Sequence, residues 1–180
     1  MIKQLIAEIY WNEIRKGENY LYGSQIKFQE DLVNFYNLRF ASGKPIVTFK
    51  SRTNYQGDRH SPDLPILIQG KRYQVEYLID SIPELSFFLQ LDFFNRQAEQ
   101  IESIVLRQSG ESFIFPQDTF TYTLTLMSAG CQSVTYHKIM IYDINEEREK
   151  ETVVRTFENR YLRELLPKDL YLVKDLLKYI

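Results

Sequence analysis

Cysteine and histidine are nearly absent from this chain, and their scarcity excludes several kinds of site. Cys131 is the one cysteine, so no internal disulfide can form, which suits a reducing compartment. With two histidines, His60 and His137, the chain lacks the cluster of ligands that a structural zinc site needs. It also lacks a glycine-rich phosphate loop. We therefore predict neither a metal nor a cofactor.

The chain also lacks an excess of positive charge and any long apolar run. Its net charge of -2 and isoelectric point near 5.8 give no general attraction for nucleic acids or anionic membranes. The apolar residues of the amino terminus are interrupted by Gln4, Glu8 and Glu13, unlike those of a signal peptide. No stretch has the length of a transmembrane helix. We therefore expect a soluble, cytoplasmic protein that binds no nucleic acid and does not insert into a membrane.

Aromatic residues, in contrast, are plentiful, and up to about residue 144 the apolar residues recur with a period of two. Residues 73–79 and 120–126 alternate apolar with polar side chains, which predicts strands with one buried face. Further strands are predicted at 46–49, 86–94, 101–106 and 133–144. Turns that contain glycine or proline separate them, and residues 95–102 are interpreted as a turn rather than a helical turn. The pattern predicts an antiparallel β-sandwich domain over residues 1–144.

The period changes to a helical one after Asn145, which is a favourable residue at a helix amino terminus. Apolar residues then recur every three or four positions as far as Ile180. We predict a helical carboxy-terminal extension over residues 145–180, interrupted at Pro167. Its apolar stripe must pack on the sandwich or on a partner, because exposing it would be costly. The residues predicted to dock a partner are Phe157, Tyr161, Leu165, Leu170, Val173, Leu176 and Leu177.

The sequence contains few candidates for catalytic groups. Asp58, His60 and Ser61 are the residue types of a triad, but neighbours in one loop rarely have the required geometry. Cys131 is interpreted as a small core residue. Asp92 and Asp118 are oxygen ligands suited to calcium, but no dense carboxylate loop supports a site. An enzyme is therefore not predicted.

The polar and aromatic loop 51–63 is the candidate binding site. Sugars are bound by a flat aromatic face beside planar hydrogen-bonding groups. The residues predicted to bind carbohydrate are Arg52, Asn54, Tyr55, Arg59, His60 and, outside the loop, Trp11. The alternative is that the loop is only structural and that Trp11 belongs to the core.

Particular residues of this region resemble a known family, and the similarity covers roughly residues 10–144. The similar segments are 54–56, Arg59, 61–62, 64–65, Gly70 and Tyr73, with 20–23, 27–28, 91–94, 113–116 and 128–131 around them. In this order and spacing they resemble the third Asp protein of the accessory Sec system, the Sec-ASP3 family. The tail from residue 145 shows no such similarity.

The resemblance implies a jelly-roll β-sandwich similar to that of carbohydrate-binding modules. It also implies a cytoplasmic complex with two larger Asp proteins, one similar to glycosyltransferases and one to esterases. Such a complex works with an accessory SecA motor to export glycosylated serine-rich repeat adhesins from Gram-positive bacteria. We therefore predict a non-catalytic subunit that holds larger partners together and contacts cargo glycans. An independent carbohydrate-binding module is the first alternative, and a small jelly-roll enzyme is the second.

Overall fold

The computed structural model describes residues 2–145, 160–161 and 178–179. The elements are short strands, with one helical turn between the fourth and the fifth. Their bounds are β1 Ile2–Ile9, β2 Gln25–Phe28, β3 Val33–Tyr36, β4 Pro45–Lys50, α1 Tyr55–Asp58, β5 Arg72–Ile82, β6 Phe87–Phe94, β7 Gln100–Leu106, β8 Glu111–Ile114, β9 Thr121–Ser128, β10 Ser133–Asn145, β11 Arg160–Tyr161 and β12 Lys178–Tyr179.

The longest strand, β10, is the centre of a six-stranded antiparallel sheet. Along one side it pairs with β5, which in turn pairs with β8. Along the other side its first residues pair with β3 and its later residues with β1, so β1 and β3 follow each other along the same edge. The hairpin partner of β3, strand β2, completes this sheet. β3 and β1 together therefore pair with most of the length of β10 along this edge.

The second sheet has four strands in the order β4-β9-β6-β7 and is also antiparallel. Its β4 edge is covered by residues 18–20. Here the Thr48 amide donates to the Glu18 carbonyl at 2.8 Å and the Tyr20 amide donates to the Ile46 carbonyl at 3.1 Å. These hydrogen bonds satisfy the backbone of an edge strand. They also fix Glu18 beside the carboxyl end of β4.

The core lies between the two sheets and is rich in aromatic rings. Phe49 of the four-stranded sheet and Tyr136 of the six-stranded sheet lie 5.9 Å apart between ring centroids. The buried Tyr136 hydroxyl donates to the Ile9 carbonyl at 2.7 Å, so this polar atom has its partner. Phe93 stacks with Tyr122 at 6.2 Å. The predicted antiparallel β-sandwich is confirmed.

Strands with a clear alternation are found close to their predicted positions. The predicted strand 73–79 corresponds to β5, and 133–144 corresponds to β10. The turn predicted over 95–102 is shorter in the structure, because β7 already begins at Gln100. Periodicity did not reveal β1, β2, β3 or β8. The last three have four residues each, too few to show a period.

Residue contacts divide the chain into two units, Met1–Glu146 and Glu147–Ile180. In the second unit, Arg160–Tyr161 and Lys178–Tyr179 form a short parallel pair of strands. At these four residues the structure differs from the predicted helices, because a stripe of apolar residues indicates a shared face and not each residue's backbone conformation. The rest of the helical prediction, including Phe157, Leu165, Leu170, Val173, Leu176 and Leu177, lies outside the described residues. Within the described part of the chain, no helix is long and apolar enough to cross a membrane.

Candidate functional site

The loop predicted from the sequence, residues 51–63, leaves β4 and returns to it. The Asp63 and Leu64 amides both donate to the Lys50 carbonyl, at 3.0 and 3.2 Å, so both ends of the loop meet at one residue. Across the loop, the Thr53 hydroxyl donates to the His60 carbonyl at 2.7 Å. These bonds make the loop a closed unit on the end of the four-stranded sheet.

Inside the loop, α1 is a single helical turn that Asn54 caps. The Asn54 side-chain oxygen accepts from the Gln56 amide at 3.1 Å, as at a helix amino terminus. In return, the Asp58 carboxylate accepts from the Asn54 amide at 2.7 Å. This backbone hydrogen bond is the main reason why the pKa of Asp58 is lowered, and the nearby Lys50 charge adds to it.

A buried carboxylate lies beneath the loop. The Glu18 residue is 6% exposed, and one of its oxygens accepts from the Lys50 ammonium at 2.9 Å and from His60 Nε2 at 3.1 Å. Its other oxygen lies 3.4 Å from the Arg15 guanidinium, which also contacts both oxygens of Asp63 at 2.7 and 2.9 Å. We call these residues, together with Asp58, the Glu18 cluster. It ties the loop to the segment that covers β4.

The opposite charges of Glu18 and Lys50 each favour the ionised form of the other. Burial alone would raise the pKa of Glu18, but the hydrogen bond and charge of Lys50, followed by those of His60, outweigh it and lower that pKa. Burial acts against the positive charge of Lys50 as well, and Glu18 reverses this effect and raises the Lys50 pKa. Glu18 and Lys50 therefore hold each other in the charged form.

The His60 ring contacts two groups that accept hydrogen bonds. Its Nδ1 lies 2.8 Å from the Ser61 carbonyl oxygen, and its Nε2 faces Glu18. A neutral imidazole donates from one nitrogen and satisfies one of these acceptors, whereas the imidazolium satisfies both. Both ring nitrogens are thus engaged with groups other than the Ser61 hydroxyl and Asp58. The triad that these residue types suggest is therefore not formed.

Ligand atoms of Glu18, Asp58 and His60 lie within 4.8 Å of one another, a spacing that would suit a metal ion. The Lys50 ammonium, however, lies 2.9 Å from Glu18 and 3.7 Å from Asp58, and it already supplies a positive charge between them. A divalent cation would have to displace it against charge repulsion. The arrangement fits a salt-bridge network better than a metal site.

The pair considered for calcium, Asp92 and Asp118, lies on different elements. Asp92 is on β6 and accepts hydrogen bonds from the side chains of Gln90, Gln100 and Ser103, the last at 2.7 Å. Asp118 lies in the turn before β9 with a φ of 62°. The Asp92 carboxylate thus already accepts hydrogen bonds from neutral side chains of the same sheet.

The residues that the sequence suggested for carbohydrate have different surroundings in the structure. His60 joins the Glu18 cluster, and Asn54 and Arg59 lie at the exposed surface of the loop. The Arg52 guanidinium lies 4.6 Å from the centre of the Phe120 ring. Trp11 is 4% exposed and packs edge-on against Phe28 and Tyr136. Tyr55 is the first residue of α1. A carbohydrate-binding role for the six predicted residues stays a prediction.

Most of the Glu18 cluster was not predicted from the sequence. Arg15 and Glu18 belong to one segment and Lys50 to another, and no spacing joins a single glutamate to a lysine at the end of a strand. The one feature of the sequence that pointed to this site was the polar character of the loop 51–63. It identified His60 but not its partner.

The fold and the site define an antiparallel β-sandwich whose most buried charges are used to brace a surface loop. The family model of the accessory Sec secretory system ASP3 matches residues 19–143. The ASP3 protein of the accessory Sec system of Streptococcus gordonii is 40% identical over 149 residues, which span 78% of this chain and 94% of that protein. The chain belongs to the Sec-ASP3 family, and the resemblance predicted from the sequence is confirmed.

Two solved structures are similar to this one over most of its length. One belongs to accessory secretory proteins 1, 2 and 3 of Streptococcus pneumoniae, with a TM-score of 0.73 and 33% identity over 77% of this chain and 96% of that one. The other belongs to the glycosylation-associated Gap123 complex of Streptococcus agalactiae, with a TM-score of 0.72 and 30% identity. It covers 81% of this chain and 46% of that one.

Proposed function

We propose that this chain is a non-catalytic subunit of an accessory Sec complex and assembles with two larger Asp proteins. The observation that supports the proposal best is its similarity, at 33% and 30% identity, to chains from two complexes that each contain three components. The role that the family resemblance implies for such a complex is cytoplasmic, with an accessory SecA motor and a serine-rich glycoprotein cargo as further partners. We extend that role to this chain.

The chemistry of the described residues is consistent with a subunit that does not catalyse a reaction. Both ring nitrogens of His60 are engaged in the Glu18 cluster. The Cys131 thiol is buried, and burial raises its pKa, which disfavours the reactive thiolate. His60 and Cys131 are thus used for bracing and packing rather than for acid–base or nucleophilic chemistry.

The experiment that tests the proposal is co-expression of the tagged chain with the two larger Asp proteins, followed by affinity purification. We expect the full chain to recover both partners. If the carboxy-terminal residues dock them, a variant that ends at residue 144 will fold, because the core of the sandwich precedes that point, but will lose the partners. Recovery of the full chain without either partner would contradict the proposal. Catalysis by the chain alone on a glycoprotein, lost with a single substitution, would contradict the non-catalytic role.

A further inference from the structure

The outer face of the six-stranded sheet carries a groove along β2 and β3. In β3, Val33 and Phe35 are buried in the core, so Asn34 and Tyr36 point to the opposite face. The register places Gln25 beside Tyr36 and Lys27 beside Asn34. On β10, Ser133 and Thr135 continue these two rows.

Two depressions make up this groove, and they share Gln25 and Tyr36. The first, of about 610 Å³, is lined by residues that include Tyr20, Tyr22, Leu38 and Arg39. The second, of about 350 Å³, is lined by residues that include Lys27, Asn34 and Thr135. Each lies within the size range of small-molecule sites, and their shared residues connect them. We call the combined surface the β2–β3 groove.

The wall of this groove is held in place by a buried side chain. The Asn37 amide donates to the Tyr22 carbonyl at 3.1 Å and to the Ser24 hydroxyl at 3.0 Å, and its oxygen accepts from the Arg39 amide at 3.1 Å. Asn37 therefore ties together the two loops that carry Tyr22 and Arg39. Such preorganisation reduces the entropy lost when a ligand binds.

The side chains that face the groove are largely free to bind a ligand. Tyr22 is 86% exposed and Tyr36 is 41% exposed. In the described part of the chain, the side chains of Gln25, Lys27 and Arg39 have no hydrogen bond or ion pair. No Asp or Glu of the described residues lines either depression. Aromatic faces, a planar amide and unpaired donors thus lie together without a carboxylate.

We propose that the β2–β3 groove binds a neutral oligosaccharide chain. Exposed tyrosine rings stack on the C–H face of a sugar, and amide and guanidinium groups hydrogen-bond its hydroxyls. Two separated tyrosines on a continuous groove suit several linked sugar units better than a single one. This activity goes beyond the role in assembly, and it can be measured on the chain without its partners.

The test is isothermal titration calorimetry of the full chain with maltohexaose, cellohexaose and chitohexaose, which are neutral but differ in linkage and substituent. We expect measurable binding of at least one of them. Tyr22→Ala and Tyr36→Ala should each weaken this binding about tenfold. Phe120→Ala removes an aromatic residue of similar exposure, 47%, just before β9 of the other sheet, and should leave binding unchanged. Denaturant unfolding of each variant would confirm that it is folded.

Two results would overturn the proposal. One is that none of the three hexasaccharides binds at millimolar concentration, and the other is that folded Tyr22→Ala and Tyr36→Ala variants bind as well as the unchanged chain. Affinity purification with the two larger Asp proteins separates this inference from the proposed function. We expect a double variant that carries both Tyr22→Ala and Tyr36→Ala to retain both Asp partners. Loss of the partners without any hexasaccharide binding would identify the groove as a protein interface and refute the glycan site.

Discussion

Replacing Glu18 with glutamine tests whether the buried carboxylate braces the loop. The substitution keeps the shape of the side chain but removes the charge that faces Lys50 and His60. Breaking a fully buried ion pair costs about 3 to 5 kcal/mol, and hydrogen bonds to charged groups contribute about 1.5 to 3 kcal/mol each. Because Lys50 keeps part of its side chain in solvent, we expect the free energy of unfolding to fall by about 2 kcal/mol.

The measurement is equilibrium unfolding in urea, followed by the fluorescence of Trp11, which is the one tryptophan and is buried in the core. A loss of about 2 kcal/mol corresponds to a melting temperature lowered by about 6 °C in a domain of this size. The matched control is Glu13→Gln. Glu13 contacts the same Arg15 at 2.7 Å but has a largely exposed side chain, so its substitution should cost less than about 0.5 kcal/mol.

The stability difference between the unchanged chain and Glu18→Gln should depend on pH, with a defined sign. The pKa of Glu18 is lowered in the folded state from an ordinary value of 4.5. The stabilisation from its charge is therefore present above about pH 4.5 and is lost as the pH falls through the lower, folded pKa. The difference between the unchanged chain and Glu18→Gln should narrow in that acidic range. Equal stabilities at pH 7 would refute the reasoning.

Three further predictions concern other parts of the sandwich. Asn37→Ala removes the buried clamp of the β2–β3 groove and should lower the free energy of unfolding by about 2 kcal/mol, against no change for the exposed Asn12→Ala. Gly70→Ala should lower the free energy of unfolding by about 1 kcal/mol or more in the same urea assay. Gly70 has a φ of 77°, and a Cβ there would lie 2.9 Å from the side-chain nitrogen of Gln117. The control is Gly57→Ala, whose added Cβ would meet nothing within 4 Å. The buried Cys131 thiol, whose pKa burial raises, should react with a thiol reagent at pH 8 only after urea unfolds the chain, and rapid labelling of the folded chain would contradict its burial.

The parts of the fold that sequence patterns predict are those where one side of a strand is buried along several residues. Residues 73–79 show this pattern because Tyr73, Val75 and Ile79 face the core. In β1 the register shifts between Leu5 and Ala7, and such a bulge breaks the alternation on which the prediction depends. The four-residue strands β2, β3 and β8 and the bulged β1 were therefore not predicted, whereas the longer β10 was predicted despite its own register shift between Tyr136 and Lys138.

The site was less accessible to sequence analysis because its groups meet only through the tertiary fold. His60 lies in the predicted loop, but its partner Glu18 reaches it through the pairing of residues 18–20 with β4. The β2–β3 groove depends on which side of a four-residue strand Tyr36 occupies, and four residues do not establish that side. The family resemblance, in contrast, depended on the order of short segments along the chain. It did not require their contacts.

The measurement that tests the central claim most directly is reconstitution from purified components. The full chain and the two larger Asp proteins would be mixed, separated by size-exclusion chromatography and analysed by native mass spectrometry. The account predicts one species whose mass contains all three proteins, and its disappearance when this chain is omitted. Elution of this chain by itself, while the other two proteins associate without it, would contradict its role as a subunit.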